Sequence, residues 1–555
     1  MSKNNLIKNI ILKIFYLAFL LILLSFSQQK NYDIVIYGAT PSGFVAAIES
    51  ARLGKSVALL EPSQHLGGII TNGLGGTDVD NHGEFQNSLA VGGLALEFYK
   101  RIAKIYDREK EFNDALKNKT KNTSLWRFES KVAEQVINDW IKEYDIDVFF
   151  GQRLAESKSA VKKKQAKILE IRMENNNTFK GKMFIDASLE GDLLARAKIS
   201  TTRGRESNSK YNETLNGIRK ETTHAQFKVK VDPYKEIRKP KSGLIPTIQN
   251  EPLGTPGGSD KSIQAFCFRM CLTQNKDNQV PFSKPQDYDR SQYEIYFRYL
   301  KAGGKLYTPR VSIPNGKTDL GAWHDLSHNL YGMNHDYPTG NYATREKILK
   351  EHQTFTQGLF YFLANDEEVG KLDPDLQKTW ASWGLAKDEF TDNNHWPREF
   401  YVRDARRMVS DYVITEYHTR KANPKVVEEP VAVAFWPPDL HSARRIVKDG
   451  FAYNEGFVFG GDTWRPFGIS YRALIPKEKE CTNLLTPTCP SSSHIAYGAI
   501  RIEFTYMALG QACAAMASQA IDNSVNIQQI DYKSLINVLD QEGQVYDSKK
   551  VGVDF

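Results

Sequence analysis

Asp33-Ile-Val-Ile-Tyr-Gly-Ala-Thr-Pro-Ser-Gly43, followed by a mostly apolar run to Gly54 and then Val57-Ala-Leu-Leu-Glu61, reads as strand, tight glycine turn, helix, strand, acid. That order can hold the ADP half of a dinucleotide. Gly38 lets the chain turn sharply off the first strand, and Gly43 lets the helix pack close to the sheet. A helix N-terminus offers free N–H groups and a partial positive charge to a pyrophosphate. Glu61 closes the second strand, where a carboxylate accepts bonds from ribose hydroxyls. Thr40 stands where the fingerprint has its middle glycine, and Ser42 completes the turn.

Working outward, the chain of 555 residues is too long for one simple core, so two domains are the natural expectation. Hydrophobic residues make up 41%, which excludes general disorder. The net charge of +7 falls to +4 without Lys3, Lys8 and Lys13, too little to suggest nucleic acid as a partner. Those three lysines precede the apolar run Ile14 to Leu24 and the small residues of Ser25-Phe26-Ser27. This is the order of a secretory signal over residues 1–27, and it predicts a periplasmic or secreted protein. The run is short for a bilayer span, and no later stretch is long enough to be one.

Of the five cysteines, Cys267 and Cys271 would share one face of a strand, too far apart to bridge. Cys481 and Cys489 flank a short loop and could close it in an oxidising compartment; buried free thiols are the alternative.

A second glycine cluster, Leu66-Gly-Gly-Ile-Ile-Thr-Asn-Gly-Leu-Gly-Gly76, follows the acid-tipped strand, a position that favours ligand contact over a plain flexible loop. Apolar spacing predicts a helix over 128–144, then a strand ending at Phe150, a hairpin around 159–173 and a buried strand over 182–188. From about residue 206 the texture becomes richer in Pro, Asn, Lys and Tyr. Strand-like runs such as Ser262 to Leu272 appear, and helices are predicted over 344–364 and 402–418. Asn483 to Leu485 is strand-like, Ser491 to Gly498 reads as a polar loop, and Thr505 to Ile521 is a long apolar helix.

These residues together resemble a known family. Tyr37 to Gly43, Leu66-Gly-Gly68 with Gly73, Ile185-Asp-Ala-Ser-Leu-Glu-Gly-Asp192, Gly204-Arg-Glu206, Tyr401-Val-Arg-Asp-Ala-Arg-Arg407, and Ser493 to Arg501 leading to Met507-Ala-Leu-Gly-Gln-Ala512 span nearly the whole chain after residue 27. They resemble FAD-dependent oxidoreductases of the glutathione-reductase-like flavoprotein superfamily. The branch is the one related to fumarate reductase and succinate dehydrogenase flavoprotein subunits, whose members are sometimes labelled xanthan lyase. Phe504 stands where that family usually has proline.

The resemblance implies an α/β fold: a doubly wound, Rossmann-like FAD-binding domain, discontinuous, with an inserted mixed α+β substrate domain. The expected parts are 28–205 and 456–525 for the FAD domain, 206–455 for the insertion and 526–555 for a C-terminal extension. FAD is the implied cofactor. Gly38, Thr40, Ser42 and Gly43 would meet the pyrophosphate, Glu61 the ribose, and Gly67 and Gly68 the ribityl and flavin region. Leu154 would touch adenine through its backbone, and Ala187 would close that side. The last helix, near Ala508 to Gln511, would aim its N-terminal dipole at the flavin. His65 invites a covalent flavin link as in the succinate dehydrogenase relatives, but its spacing to the glycine pair differs from theirs.

For the chemistry, His494 could move a proton or bind substrate, or be a structural histidine. Arg501 could bind an anionic group or form a helix-entry salt bridge. Arg403, with Arg406 and Arg407 on the same expected helix face, and His441, with Arg444 and Arg445, are further candidates, each with a solvated-charge alternative. No metal, nucleophilic-serine or nucleic-acid motif is present. The expected partners are a small polar substrate, such as a sugar, uronate or carboxylic acid, and an electron acceptor: a quinone, a redox protein or oxygen. Two alternatives remain: a carbohydrate lyase using FAD without net redox change, and a non-catalytic flavin-binding protein.

Overall fold

The computed structural model describes residues 30–222, 224–460 and 464–551. The expected export segment, residues 1–27, lies outside them. Seven strands form the main sheet: β1 (Asn31–Tyr37), β2 (Val57–Glu61), β3 (Ile146–Phe150), β4 (Val161–Lys164), β5 (Lys167–Arg172), β6 (Thr178–Asp186) and β7 (Leu484–Leu485). The order runs β3-β2-β1-β6-β5-β4, with β7 also on β6. The strands β3, β2, β1, β6 and β7 are parallel, and the β4–β5 hairpin joins antiparallel. All five residues of β2 are buried, the mark of a parallel strand covered on both faces.

Helix α1 (Pro41–Arg52) starts on the glycine turn with proline at its first position, and Gly54 follows its end. Helix α2 (Tyr342–Asn365) lies in the middle region and is capped by Asn341, whose side chain accepts from the Thr344 N–H. Helices α3 (His494–Ile500) and α4 (Glu503–Asp522) follow β7. Helix α4 packs on α1 so closely that a Cβ on Gly510 would overlap the Ser42 carbonyl.

The apolar side chains fall into separate clusters. One joins α1, one face of the sheet and α4 to residues 431–436, 467–475 and 527–539. A second lies on the other sheet face, around Val35, Tyr37, Leu60 and Ile171. A third is built almost wholly from residues 231–405. The sheet with its helices is thus the Rossmann-like body, and the middle of the chain carries its own core.

Four expectations are corrected. Residues 402–418 are not one helix: only Glu416–Thr419 is helical, and Arg407–Met408 is a strand. The segment is held extended, with Tyr401 bonded to Cys267, Met408 to Cys489 and Val409 to Ser200. Arg403, Arg406 and Arg407 therefore reach different acceptors instead of sharing a face. The loop expected over 491–498 becomes α3 from His494, because the Ser493 side chain accepts from the Ala496 N–H and caps it. The run 262–272 pairs only at single bridges, Cys267 with Tyr401 and Met270 with Leu320, before a two-residue strand. Helix α4 begins at Glu503, so Ala508 to Gln511 lie inside it and the dipole end is at Ile502 to Thr505. Cys481 and Cys489 are buried free thiols.

Candidate functional site

At the carboxyl ends of β1 and β2 the backbone closes a cradle. Gly38 has φ +93°, a conformation costly for any side chain, and its N–H donates to Leu60 O at 2.8 Å. The Thr40 side chain does not cap α1; its Oγ1 donates to the Ala187 carbonyl at 2.7 Å. Ser42 Oγ lies 3.0 Å from Thr40 Oγ1. The first turn of α1 is therefore left without a side-chain cap, facing inward, as an anion site requires. Glu61 is buried; Oε2 accepts from the Ala39 N–H at 2.8 Å and Oε1 from the Ser63 N–H at 2.7 Å. Burial raises its carboxyl above the ordinary range.

A cavity of about 240 Å³ opens here. Gly38, Thr40, Glu61, Gly68 and Ser188 line the sheet side; Glu190, Tyr337, Tyr342, Arg345, Glu399 and Phe400 face them. Gly67 donates to Ala39 O at 2.7 Å, which holds the second glycine cluster against the first.

Two expected cofactor contacts are engaged elsewhere. The Leu154 N–H donates to Tyr37 Oη at 3.1 Å and its carbonyl accepts from Tyr342 Oη at 2.7 Å, so both backbone groups are already bonded. Gln511 Oε1 accepts from the Leu94 N–H at 2.9 Å, locking α4 to the turn at Gly93. His65 has both ring nitrogens on carboxylates, Glu134 at 2.5 Å and Asp392 at 3.0 Å.

From the cavity, the second glycine cluster leads to a second group of polar residues. Gly68 lines the cavity; a Cβ on Gly73 would overlap the Arg269 carbonyl; and the Gly76 N–H donates to Asp319 at 2.9 Å. Asp319 in turn holds Arg269 through two bonds, 2.6 and 2.7 Å. The extended segment 399–403 makes the same crossing. Glu399, Phe400 and Val402 line the cavity, while Tyr401 and Arg403 point into the second group.

That second group gathers three of the four expected catalytic residues. Arg501 is buried, donates to Tyr401 Oη at 3.2 Å and Asp439 O at 2.8 Å, and lies 3.1 Å from Asp439 Oδ2. Arg403 is buried with Nη1 on Ala265 O at 2.5 Å and Nη2 on Cys267 Sγ at 3.0 Å, and has no carboxylate partner among the described residues. His441 is buried, and its Nδ1 has no hydrogen-bond partner among the described residues. Burial, then Arg403, Arg501 and Arg269, hold its pKa well below the usual value, so the imidazole is neutral.

Sequence reasoning missed Glu503. It is the first residue of α4, buried, with neither carboxylate oxygen hydrogen-bonded among the described residues. Burial, then Asp78, pushes its carboxyl up to about 7. The available signal was an acid opening an alanine-rich helix that carries no other charge before Asp522.

The fourth expected residue, His494, is elsewhere. Its backbone N–H donates to Glu206 at 3.0 Å and Nδ1 lies 3.1 Å from Asp404 Oδ2, in a buried network with Arg407. It shares no partner with Arg501 among the described residues.

A family model described as FAD dependent oxidoreductase matches residues 33–539. The chain belongs to that family. A soluble pyridine nucleotide transhydrogenase of Mycobacterium bovis is 54% identical over 44 residues, 8% of this chain and 9% of that protein. A dihydrolipoyl dehydrogenase of Corynebacterium glutamicum is 49% identical over 45 residues, again 8% and 9%. The chain thus spans about 9% of the length of these curated relatives. Among solved structures, a thioredoxin reductase of T. acidophilum shares 20% identity with a TM-score of 0.18, over 33% of this chain and 41% of that one. An L-proline dehydrogenase from P. horikoshii shares 14% with a TM-score of 0.24, over 32% and 59%.

The residues of the site fit the cofactor that the family's description names. The cradle at Gly38, the uncapped start of α1 and the Glu61 carboxylate suit the pyrophosphate and ribose of the ADP half. The second glycine cluster gives a backbone-lined path onward, and the start of α4 stands at its far end with Glu503, Arg501 and Tyr401.

Proposed function

We propose that this flavoenzyme is exported and oxidises a hydroxyl group of a small polar substrate held between Arg501, His441 and Glu503. The observation that carries the reading is Glu503: a buried carboxyl poised near neutral pH, with neither oxygen hydrogen-bonded among the described residues, that faces the same Arg501 charge as the neutral His441 imidazole. Groups tuned in this way are suited to proton transfer. When bound, FAD supplies the acceptor for the hydride that leaves a carbinol carbon. The chain's own residues handle the rest. Glu503 in its ionised form takes the hydroxyl proton. His441 Nδ1 accepts a hydrogen bond from a neighbouring hydroxyl and orients it. Arg403, a buried cation without an acid partner among the described residues, steadies negative charge developing on the substrate oxygen. Arg501, fixed by Asp439 and Tyr401, sets the position of this group.

The order of Lys3, Ile14 to Leu24 and Ser25 to Ser27 supports export, with a mature chain starting near Gln28. N-terminal sequencing of the exported protein checks this. Outside the cytoplasm the electrons would pass on to a quinone, a small redox protein or oxygen.

The test is anaerobic mixing of the holoenzyme with sugars, uronates, polyols and hydroxy acids. Loss of the oxidised flavin absorbance with one of them, together with a carbonyl product in equal amount, supports the reading. Product without any flavin absorbance change would favour a lyase instead.

A further inference from the structure

The middle of the chain holds a second cavity, of about 350 Å³, larger than the one at the glycine cradle. It lies between helix α2 and the small sheet in which Gln279–Val280 and Gly384–Ala386 pair. Phe282, Phe360 and Trp396 give it rings, and Val280, Leu385 and two prolines give it aliphatic walls. Gln357, Asn394 and His395 add side-chain nitrogens, and no Lys, Arg, Asp or Glu among the described residues lines it. Ligand sites begin at roughly 300 Å³, so the cavity has the size of one. The three lining rings meet their ring neighbours tilted or edge-on, at 34° to 76°; among the described residues none has a face covered by a parallel ring.

Two features set this cavity apart from a packing gap. Trp396 is buried, and its Nε1 has no hydrogen-bond partner among the described residues. A buried N–H left unpaired costs about 1–3 kcal/mol, a cost that an acceptor on a bound molecule removes. The loop beside it is strained: Phe390, Asn394 and His395 have φ of +48°, +53° and +63°, a left-handed backbone that a bulky ring rarely adopts. Such strain persists where the surrounding structure fixes it, and it collects at ligand sites. The same loop runs on to the cofactor. The Arg398 N–H, two residues past Trp396, donates to Asn72 Oδ1 in the second glycine cluster at 3.0 Å, and Glu399 and Phe400 line the cofactor cavity. Ring contacts make the same crossing: Trp396 lies 5.3 Å from Phe268, and Phe268 lies 5.9 Å from Phe400. Arg269, the residue after Phe268, has the carbonyl that a Cβ on Gly73 would overlap.

We infer that this cavity takes a one- or two-ring quinone, the oxidant of the reduced flavin. The inference rests on the oxidative reading above and names its electron acceptor. A quinone is neutral and flat, with an apolar ring and a carbonyl acceptor at each end. The cavity offers uncharged walls and aromatic side chains to the ring. The indole of Trp396 and the amides of Gln357 and Asn394 offer N–H donors to the carbonyls. Two electrons and two protons leave the reduced FAD, which returns to its oxidised form. The quinone takes both electrons and both protons, and its two carbonyl oxygens become hydroxyls. A carboxylate or phosphate ligand would find no lysine or arginine among the lining residues. A redox protein needs a docking surface instead of a cavity, and oxygen needs no cavity of this size.

The test bypasses the substrate. Holoenzyme is photoreduced under argon and mixed with menadione, a two-ring quinone, or with ferricyanide as a control that needs no ring site, and the return of oxidised flavin absorbance is followed. Binding of menadione to the oxidised holoenzyme, which has no electrons to give, is measured by calorimetry. Ser283→Trp puts a ring into the cavity from an exposed position, Trp396→Phe keeps the ring and loses the N–H, and Gln357→Leu removes a second donor. Menadione is expected to bind the parent and to reoxidise it with saturation. Ser283→Trp should abolish binding and slow reoxidation by menadione about tenfold or more. Trp396→Phe and Gln357→Leu should each raise Kd and the half-saturating concentration by about tenfold, the loss of one hydrogen bond. FAD content and the ferricyanide rate should stay at the parent's values in all three, and Gln357→Leu decides the matter if Ser283→Trp fails to fold. Reoxidation by menadione at the parent rate in every variant overturns the inference, as does the absence of menadione binding to the oxidised parent. Equal slowing with ferricyanide also overturns it, because the defect then lies at the flavin. Photoreduction supplies the electrons, so a quinone site found here stands even if no hydroxyl substrate bleaches the flavin, and a failed quinone site leaves the substrate reading intact.

Discussion

The backbone nitrogen of Ser188 stands 2.9 Å from the position a Cβ on Gly38 would take, so the turn after β1 and the end of β6 close on each other with room only for hydrogen. Gly38 also has φ +93°. An alanine there meets both a steric and a conformational penalty, about 1–3 kcal/mol from each source. A Cβ on Gly43 would overlap the Gly38 carbonyl itself. Gly38→Ala and Gly43→Ala are expected to purify with little FAD, read as the ratio of flavin to protein absorbance, and with lowered Tm. Full flavin content in both would mean that the cradle does not hold the cofactor.

Glu503 gives a pH signature. With its carboxyl pushed up to about 7 by burial and then by Asp78, it is protonated below pH 6 and ionised above pH 8. If it takes the substrate proton, the rate of substrate-driven flavin reduction rises as pH increases through about 7 and then levels. Glu503→Gln should flatten that profile and slow reduction by about 100-fold, within the usual contribution of a positioned base. An unchanged rising limb in the glutamine variant would move the proton acceptor elsewhere.

Glu399 sets a limit on alkaline stability. Burial, and then the charges of Glu61 and Glu190 across the cavity, push its carboxyl up to about 8, with Arg398 pulling the other way. A carboxyl raised from its ordinary 4.5 stabilises the folded state in its neutral form. That contribution is complete at acid pH and is lost as pH rises through about 8. The bound phosphates of FAD add negative charge to the same cavity. FAD should therefore dissociate more readily at pH 9 than at pH 7, measured by the fluorescence of released flavin, and Glu399→Gln should retain it at both. Equal release from both proteins would show that Glu399 does not titrate against the cofactor.

The cofactor half of the molecule was legible because its signals sit together in the sequence: Gly38, Pro41, Gly54 and Glu61 all fall within one strand–turn–helix–strand unit. The region around Arg403 was not. Val402, Met408, Val409 and Tyr412 have spacings that suit a helix, but the guanidiniums of Arg403, Arg406 and Arg407 find acceptors at Ala265, Asp192 and Glu206, which no local pattern encodes. Ser493 carried a real capping signal that the surrounding serines obscured. Glu503 needed the fold, because only the packing of α4 against the sheet reveals that an acid at its first turn is buried.

The placements of His494 and Arg501 separate two roles that their closeness in sequence merges. His494 ties the start of α3 to Glu206 and Asp404, and Glu206 is held down to about 2, against the cost of burial, by Arg407 and the His494 N–H. His494→Ala keeps the backbone N–H that serves Glu206 but removes the imidazole that lies 3.1 Å from the buried Asp404 carboxylate, a loss of about 1–3 kcal/mol. The expected outcome is a lower Tm, with flavin reduction per bound FAD within threefold of the parent. Arg501 instead joins Asp439 and Tyr401 beside Glu503 and His441. Arg501→Lys keeps the charge that Asp439 needs but loses the planar fork. It should therefore keep the FAD spectrum and most of the Tm while slowing flavin reduction about tenfold, or about 1.4 kcal/mol of barrier. Should His494→Ala slow reduction as much as Arg501→Lys does, the chemistry would lie in the Asp404–Arg407 network, and the assignment to Glu503 and His441 would fail.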